Sequence, residues 1–161
     1  MKPTTIISNI VILSFFFGCV AEAKLMNGSD ENGTAVYLSE PSDIPNAIKK
    51  FQFSGDLTTE EGKIDYILFR LRSSNLRFIR NGEETNGDNA AQFMRWKMGW
   101  YKDHHHTKIK TLQDFVSKVA KGSEKTGQPY VLILPDGSRH NAQYVLQNEA
   151  NKLEELLASS S

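Results

Sequence analysis

The sequence predicts an α+β domain, with about four helices packed around a small, largely antiparallel sheet of two to three short strands. Three observations predict it. Apolar residues recur at helical spacing, as at Ile64, Ile67, Leu68 and Leu71. A continuous apolar run from Tyr130 to Leu134 has the length and β-branched content of a buried strand. Turn pairs, Asn81-Gly82 and Asp136-Gly137, flank short segments that read as strands.

Taken in order, the chain opens on Lys2, an apolar run from Ile10 to Val20 and then Ala21-Glu22-Ala23, the pattern of a secretory signal peptide spanning residues 1–23. The run falls short of the ~20 apolar residues a membrane span needs, so no stable transmembrane anchor is expected in the mature chain. Cleavage near Ala23 sends the mature protein to the periplasm or outside the cell. Lipidation at Cys19 is the minor alternative, because Phe16 and Phe17 suit a lipoprotein recognition site poorly. If Cys19 leaves with the signal, the mature chain has no cysteine, and disulfides, thiol catalysis and Cys-based metal sites are excluded together.

Residues 24–57 mix Gly, Ser, Asn, Asp and Pro with isolated apolar residues and read as a flexible leader. The Asn27 and Asn32 sequons in it read as incidental to an Asn-rich stretch. A single globular domain is then expected over residues 58–158. Its first helix is headed by Thr58 and Glu61 as a capping box. A short strand around Leu76 and Phe78 follows and ends at Asn81-Gly82.

The second helix is expected from near Asp88, with Ala90, Phe93, Met94 and Lys97 on one side and Trp96 and Trp100 beside them. A third begins at Thr111 and carries Leu112, Phe115, Val116 and Val119 as its apolar stripe. After the central strand and the Pro-Asp-Gly-Ser turn, Arg139 to Ala142 can start a returning strand. An amphipathic helix from about Asn141 to Ala158 closes the domain.

With 19 basic and 19 acidic residues the chain is formally neutral, so no chain-wide field draws it to nucleic acid. It contains no Gly-x-Ser-x-Gly elbow, phosphate-binding Gly loop or His-Glu-x-x-His helix, and no cofactor is implied.

Several fragments carry a family likeness: "FIRNGEE" at 78–84, "AAQFMRWKMG" at 90–99, "IKTLQDFVSKVAKGSEKTGQPY" at 109–130 and "PDG" at 135–137. Together they cover most of residues 58–157. In them the chain resembles the YfeK-like family of small exported bacterial proteins of unknown function. Arg80, Asn81, Gly82, Arg95, Lys97, Thr111, Gly127, Pro129 and Tyr130 occupy the places of that pattern. Phe93, Glu124 and Lys125 depart from it, where relatives often have His and serines. The resemblance implies a signal peptide and a periplasmic home, and implies no activity.

Arg80, Asn81, Gly82, Glu83, Glu84 and Arg95 are the candidate binding residues. A turn presenting a guanidinium and two carboxylates suits a ligand, although the same residues also serve as an ordinary turn with solvated acids near a helix start. Arg95 and Lys97 lie about 200 degrees apart around their helix, which leaves Arg95 for the turn carboxylates or an external anion, with the intramolecular salt bridge favoured. The leading expectation is non-enzymatic binding of a periplasmic protein or envelope component. A small hydrolase or lyase using Glu83 or Glu84 beside Arg95 is the competing one. His104, His105 and His106 read as a loop between helices. Of these, His104 and His106 in extended backbone are placed to share a metal weakly, with Asp103 or His140 as third ligand.

Overall fold

The computed structural model describes residues 24–159. The expected signal peptide and Cys19 lie outside them. Five strands, β1 (Leu25–Met26), β2 (Arg77–Arg80), β3 (Glu83–Asn86), β4 (Val131–Ile133) and β5 (Arg139–Asn141), form one sheet in the order β1-β5-β4-β2-β3. Five helices accompany them: α1 (Ile44–Gln52), α2 (Glu60–Ser73), α3 (Gly87–His105), α4 (Leu112–Asp114), which runs on as a π-helical turn over Phe115–Val119, and α5 (Ala142–Ser159).

The α+β class stands, but the expected counts of helices and strands were too low, and the sheet is mixed. Strand β1 runs parallel to β5, while the other pairings are antiparallel. The missing pieces are short. Two residues of β1 cannot show alternation, and β3 reads Glu-Glu-Thr-Asn, which carries no apolar face.

Residues 24–57 are built into the domain, against the flexible leader expected of them. In α1, Ile44, Ile48 and Phe51 repeat at i, i+4 and i+7 and are buried, with Leu38 and Leu57 buried on either side. Phe51 meets Tyr66 of α2 edge-on at 5.6 Å between ring centroids. One such stripe spans only nine residues with Pro45 in its first turn, so its periodicity is brief against a polar background.

Helices α2, α3 and α4 begin where side chains satisfy their free amides. Thr59 accepts from the Gly62 N–H at 3.0 Å, Asn86 from Asn89 at 2.9 Å, and Thr111 from Asp114 at 3.0 Å. The first cap is thus Thr59, one residue after the expected Thr58. Helix α3 starts hard against the end of α2, where a Cβ on Gly87 would collide with the Leu71 carbonyl oxygen. Phe78 and Leu132, opposite each other in register, join the helical core from one face of the sheet. Alternation carries Arg80 and Glu83 to the same face as Phe78, and Arg77, Ile79 and Glu84 to the other. That placement determines the site.

Candidate functional site

The turn between β2 and β3 puts Asn81 at φ 52° and Gly82 at φ 85°, the two positive dihedrals of a tight primed hairpin. Asn81 is also held from outside, since its Oδ1 accepts from Thr126 Oγ1 at 2.9 Å. The hairpin is thereby fixed to the loop that precedes β4.

Arg80 leaves this turn towards α3, and its guanidinium lies 4.2 Å from the centroid of the Phe93 ring. Two adjoining clefts share Arg80, Phe93 and Tyr130. The first, about 200 Å³, runs between the β2–β3 hairpin and α3 over Phe78, Thr85, Ala90 and Met94. The second, about 230 Å³, runs along α3 past Trp96 and Trp100 to Glu124 and Lys125. Trp96 is 60% exposed and its ring lies 5.6 Å from that of Phe93. A tryptophan so open is unusual on a helix whose other face is core.

Beneath the second cleft lies Lys97, only 3% exposed. Its Nζ donates to the carbonyls of Gly122 at 2.5 Å, Val119 at 3.0 Å and Lys118 at 3.5 Å. The π-helical turn bonds Ala120 N–H to the Phe115 carbonyl and leaves the later carbonyls without helical partners, so Lys97 acts as their cap. The Tyr130 and Tyr101 rings stand 5.1 and 5.6 Å from the ammonium. Burial pushes Lys97 down to about 8, with Glu124 opposing. Burial also raises Tyr130 to about 12 and raises Tyr101, whose hydroxyl donates to Glu124.

Glu83 and Glu84 also line the first cleft, whereas Arg95 and the three histidines line neither. Glu83 and Glu84 lie in β3 and not at a helix start, and neighbouring strand positions send their side chains to opposite faces. They therefore do not form an acid–base pair around one proton. Glu84 faces Arg77 across the strands at 3.3 Å in an exposed ion pair. Arg95 pairs with Asp65 of α2 and lines neither cleft, so it meets no carboxylate of the turn.

The histidines also differ from expectation. His104 and His105 are the last residues of α3, and His106 is its left-handed cap at φ 50°. His104 stacks on Trp100 at 4.7 Å between centroids, while His105 packs against Tyr101 at 5.2 Å. Among the described residues no group of three or more His, Cys, Asp or Glu side chains is arranged to hold a metal ion. His140, named above as a third ligand, lies in β5 at 1% exposure, with Nε2 3.2 Å from Ser138 Oγ.

Lys97, Tyr130 and Trp96 join Arg80, Asn81, Glu83 and Glu84 at the clefts, although they were not among the candidate binding residues. The signal was present for Lys97, a lysine inside an apolar stripe with Ala90 and Met94. Lysine is rarely buried unless its charge is matched, so its place in that stripe marks a built-in acceptor set.

Residues 58–154 match the family model described as "Family of unknown function (DUF5329)". Both clefts are lined by residues within this span. The chain is 36% identical over 72 residues to the uncharacterized protein YfeK of Salmonella typhimurium, a match that covers 44% of this chain and 57% of that protein. The match thus spans little more than half the length of that relative. No solved structure matches the chain. With its hairpin, its aromatic helix and the loop before β4 all inside the matched span, the chain belongs to the DUF5329 family of unknown function.

Proposed function

We propose that this protein is an exported, periplasmic binding module that recognises a polypeptide partner without catalysis, through the aromatic trough along α3. One observation carries the reading. Trp96 stands exposed in the second cleft beside the Arg80–Phe93 stack that both clefts share, and the surface the clefts expose is mainly apolar. Exposed tryptophan and arginine are the residues that anchor protein interfaces, since each offers a large contact area with a polar edge.

Chemistry finds little support at the same place. The cleft's buried amine, Lys97, has its hydrogens directed at backbone carbonyls, and its acid, Glu124, accepts from Tyr101. Neither is poised to move a proton to or from a bound molecule. The hydrolase or lyase alternative needed Arg95 beside Glu83 or Glu84, and Arg95 is engaged with Asp65.

Affinity selection of random peptides on the full chain tests the reading, with tryptophan fluorescence measuring the hits. Selected peptides are expected to bind the wild type and to lose about tenfold or more in affinity against Trp96→Ala, in line with an anchor residue at the centre of an interface. Equal binding by Trp96→Ala would exclude the trough. Mass spectrometry of the N-terminus of protein recovered from the periplasm tests export, with cleavage near Ala23 the expected result.

A further inference from the structure

The trough reading names a surface and not the chemistry it prefers. The charges around the second cleft supply that chemistry. Among the described residues the Arg80 side chain meets the Phe93 ring and makes no ion pair. Its cross-strand neighbour Glu83 sits opposite in register without closing on it. Lys125, which also lines the cleft, has no partner among the described residues. Of the other acids nearby, Glu84 is engaged with Arg77 and Glu124 with Tyr101 and Lys97, while Glu83 lines the first cleft and not the second. The cleft therefore presents two unpaired cations above an aromatic floor.

We infer that the second cleft receives the free C-terminal carboxylate of a polypeptide, held between Arg80 and Lys125, with an apolar terminal side chain lying against Trp96 and Trp100. The inference rests on the trough reading and adds the end of the chain that is recognised. An unattached anion would leave the aromatic walls unused. A neutral glycan would find few free polar partners, because Asn81 is bound to Thr126 and Ser123 Oγ accepts from the Thr126 N–H. A carboxylate next to an apolar group uses both parts of the cleft, and guanidinium is the cation best shaped for a carboxylate.

Two random hexapeptide libraries, identical except that one ends in a free acid and the other in a primary amide, are selected on the full chain. Hits are expected from the acid library, with an apolar last residue. Amidation of a hit is expected to weaken it about tenfold, the loss typical of a hydrogen bond to a charged group. Arg80→Ala and Lys125→Ala are each expected to weaken the acid more than the amide, so that the acid's advantage shrinks in both variants. Both side chains are exposed, and circular dichroism checks that the variants fold. Arg95→Ala serves as the control and is expected to bind as the wild type does.

Equal affinity of acid and amide, with Trp96→Ala weakening both, overturns this inference and leaves the trough reading standing. No peptide binding at all, with capture of purified peptidoglycan that depends on Arg80, overturns both.

Discussion

Arg70 and Glu149 meet inside the core as a two-pronged ion pair, Nε to Oε2 at 3.0 Å and Nη2 to Oε1 at 3.1 Å. Glu149 is fully buried in the middle of α5, and its Oε1 also accepts from the backbone N–H of Leu38 at 2.7 Å. Arg70 reaches Ser39 Oγ at 3.0 Å with the same Nη2. One carboxylate thus joins α2, α5 and the segment that leads into α1. This is why residues 24–57 pack on the domain when their composition reads as a tail.

Removing one partner of such a pair leaves the other buried without compensation. Glu149→Ala is expected to lower unfolding stability by about 3–5 kcal/mol, and to expose the Leu38 amide and α1 to hydrogen exchange ahead of the sheet. The double variant Arg70→Met/Glu149→Leu should recover much of the loss, because it removes both charges and refills the volume. Urea unfolding with amide exchange reads both effects. A loss below about 1 kcal/mol for Glu149→Ala would mean that the pair is not what holds the segment.

Lys97 offers a second test, because it sits in the core as the cap of a helix that ends in a π turn. Lys97→Met keeps the bulk of the stem and removes the donors. The carbonyls of Val119 and Gly122 then lose their partner in a buried place, at an expected cost of about 1–3 kcal/mol. The change should loosen the loop from Gly122 to Pro129, which also carries Thr126 and so holds the Asn81 turn. Faster exchange of the Ser123 and Gly127 amides, read by NMR, is the specific signature. A stability loss without it would place the effect in core packing alone.

These two residues also show what was legible in the sequence. The long helices and the Asn81-Gly82 turn announced themselves, because periodicity and a positive-φ pair are local signals. Glu149 did not, since its partners, Arg70 and Leu38, lie 79 and 111 positions away. The same holds for Arg95, whose partner Asp65 sits on another helix. Helical spacing showed only that Arg95 and Lys97 face different ways. Of the candidate site, Arg80 to Gly82 came from turn chemistry, whereas the clefts arise from how α3 crosses the hairpin, which no spacing within either element records.

His140 carries the pH dependence. Its ring is buried in β5 with Nε2 at 3.2 Å from Ser138 Oγ, and Ser138 Oγ lies 2.7 Å from Asp136 Oδ1. Ser138 has one hydroxyl hydrogen and gives it to the Asp136 carboxylate, so the proton between Ser138 and His140 belongs to Nε2. That leaves Nδ1 as a bare acceptor, and it has no protein hydrogen-bond partner among the described residues.

Protonation of Nδ1 would place a charged ring in this buried setting. Burial accordingly lowers the His140 pKa below its ordinary value, with the Asp136 carboxylate opposing. The unfolded chain then binds the proton first. Stability is full above the unfolded pKa of about 6.5 and is lost as pH falls through the lower folded value. Acid-range carboxylates such as Asp136 and Asp114, whose folded pKa values are lowered, titrate below this window. Urea midpoints measured from pH 7.5 down to about 5 should therefore decline in the wild type and stay nearly level in His140→Phe. An equal slope in both proteins would assign the acid sensitivity to other groups.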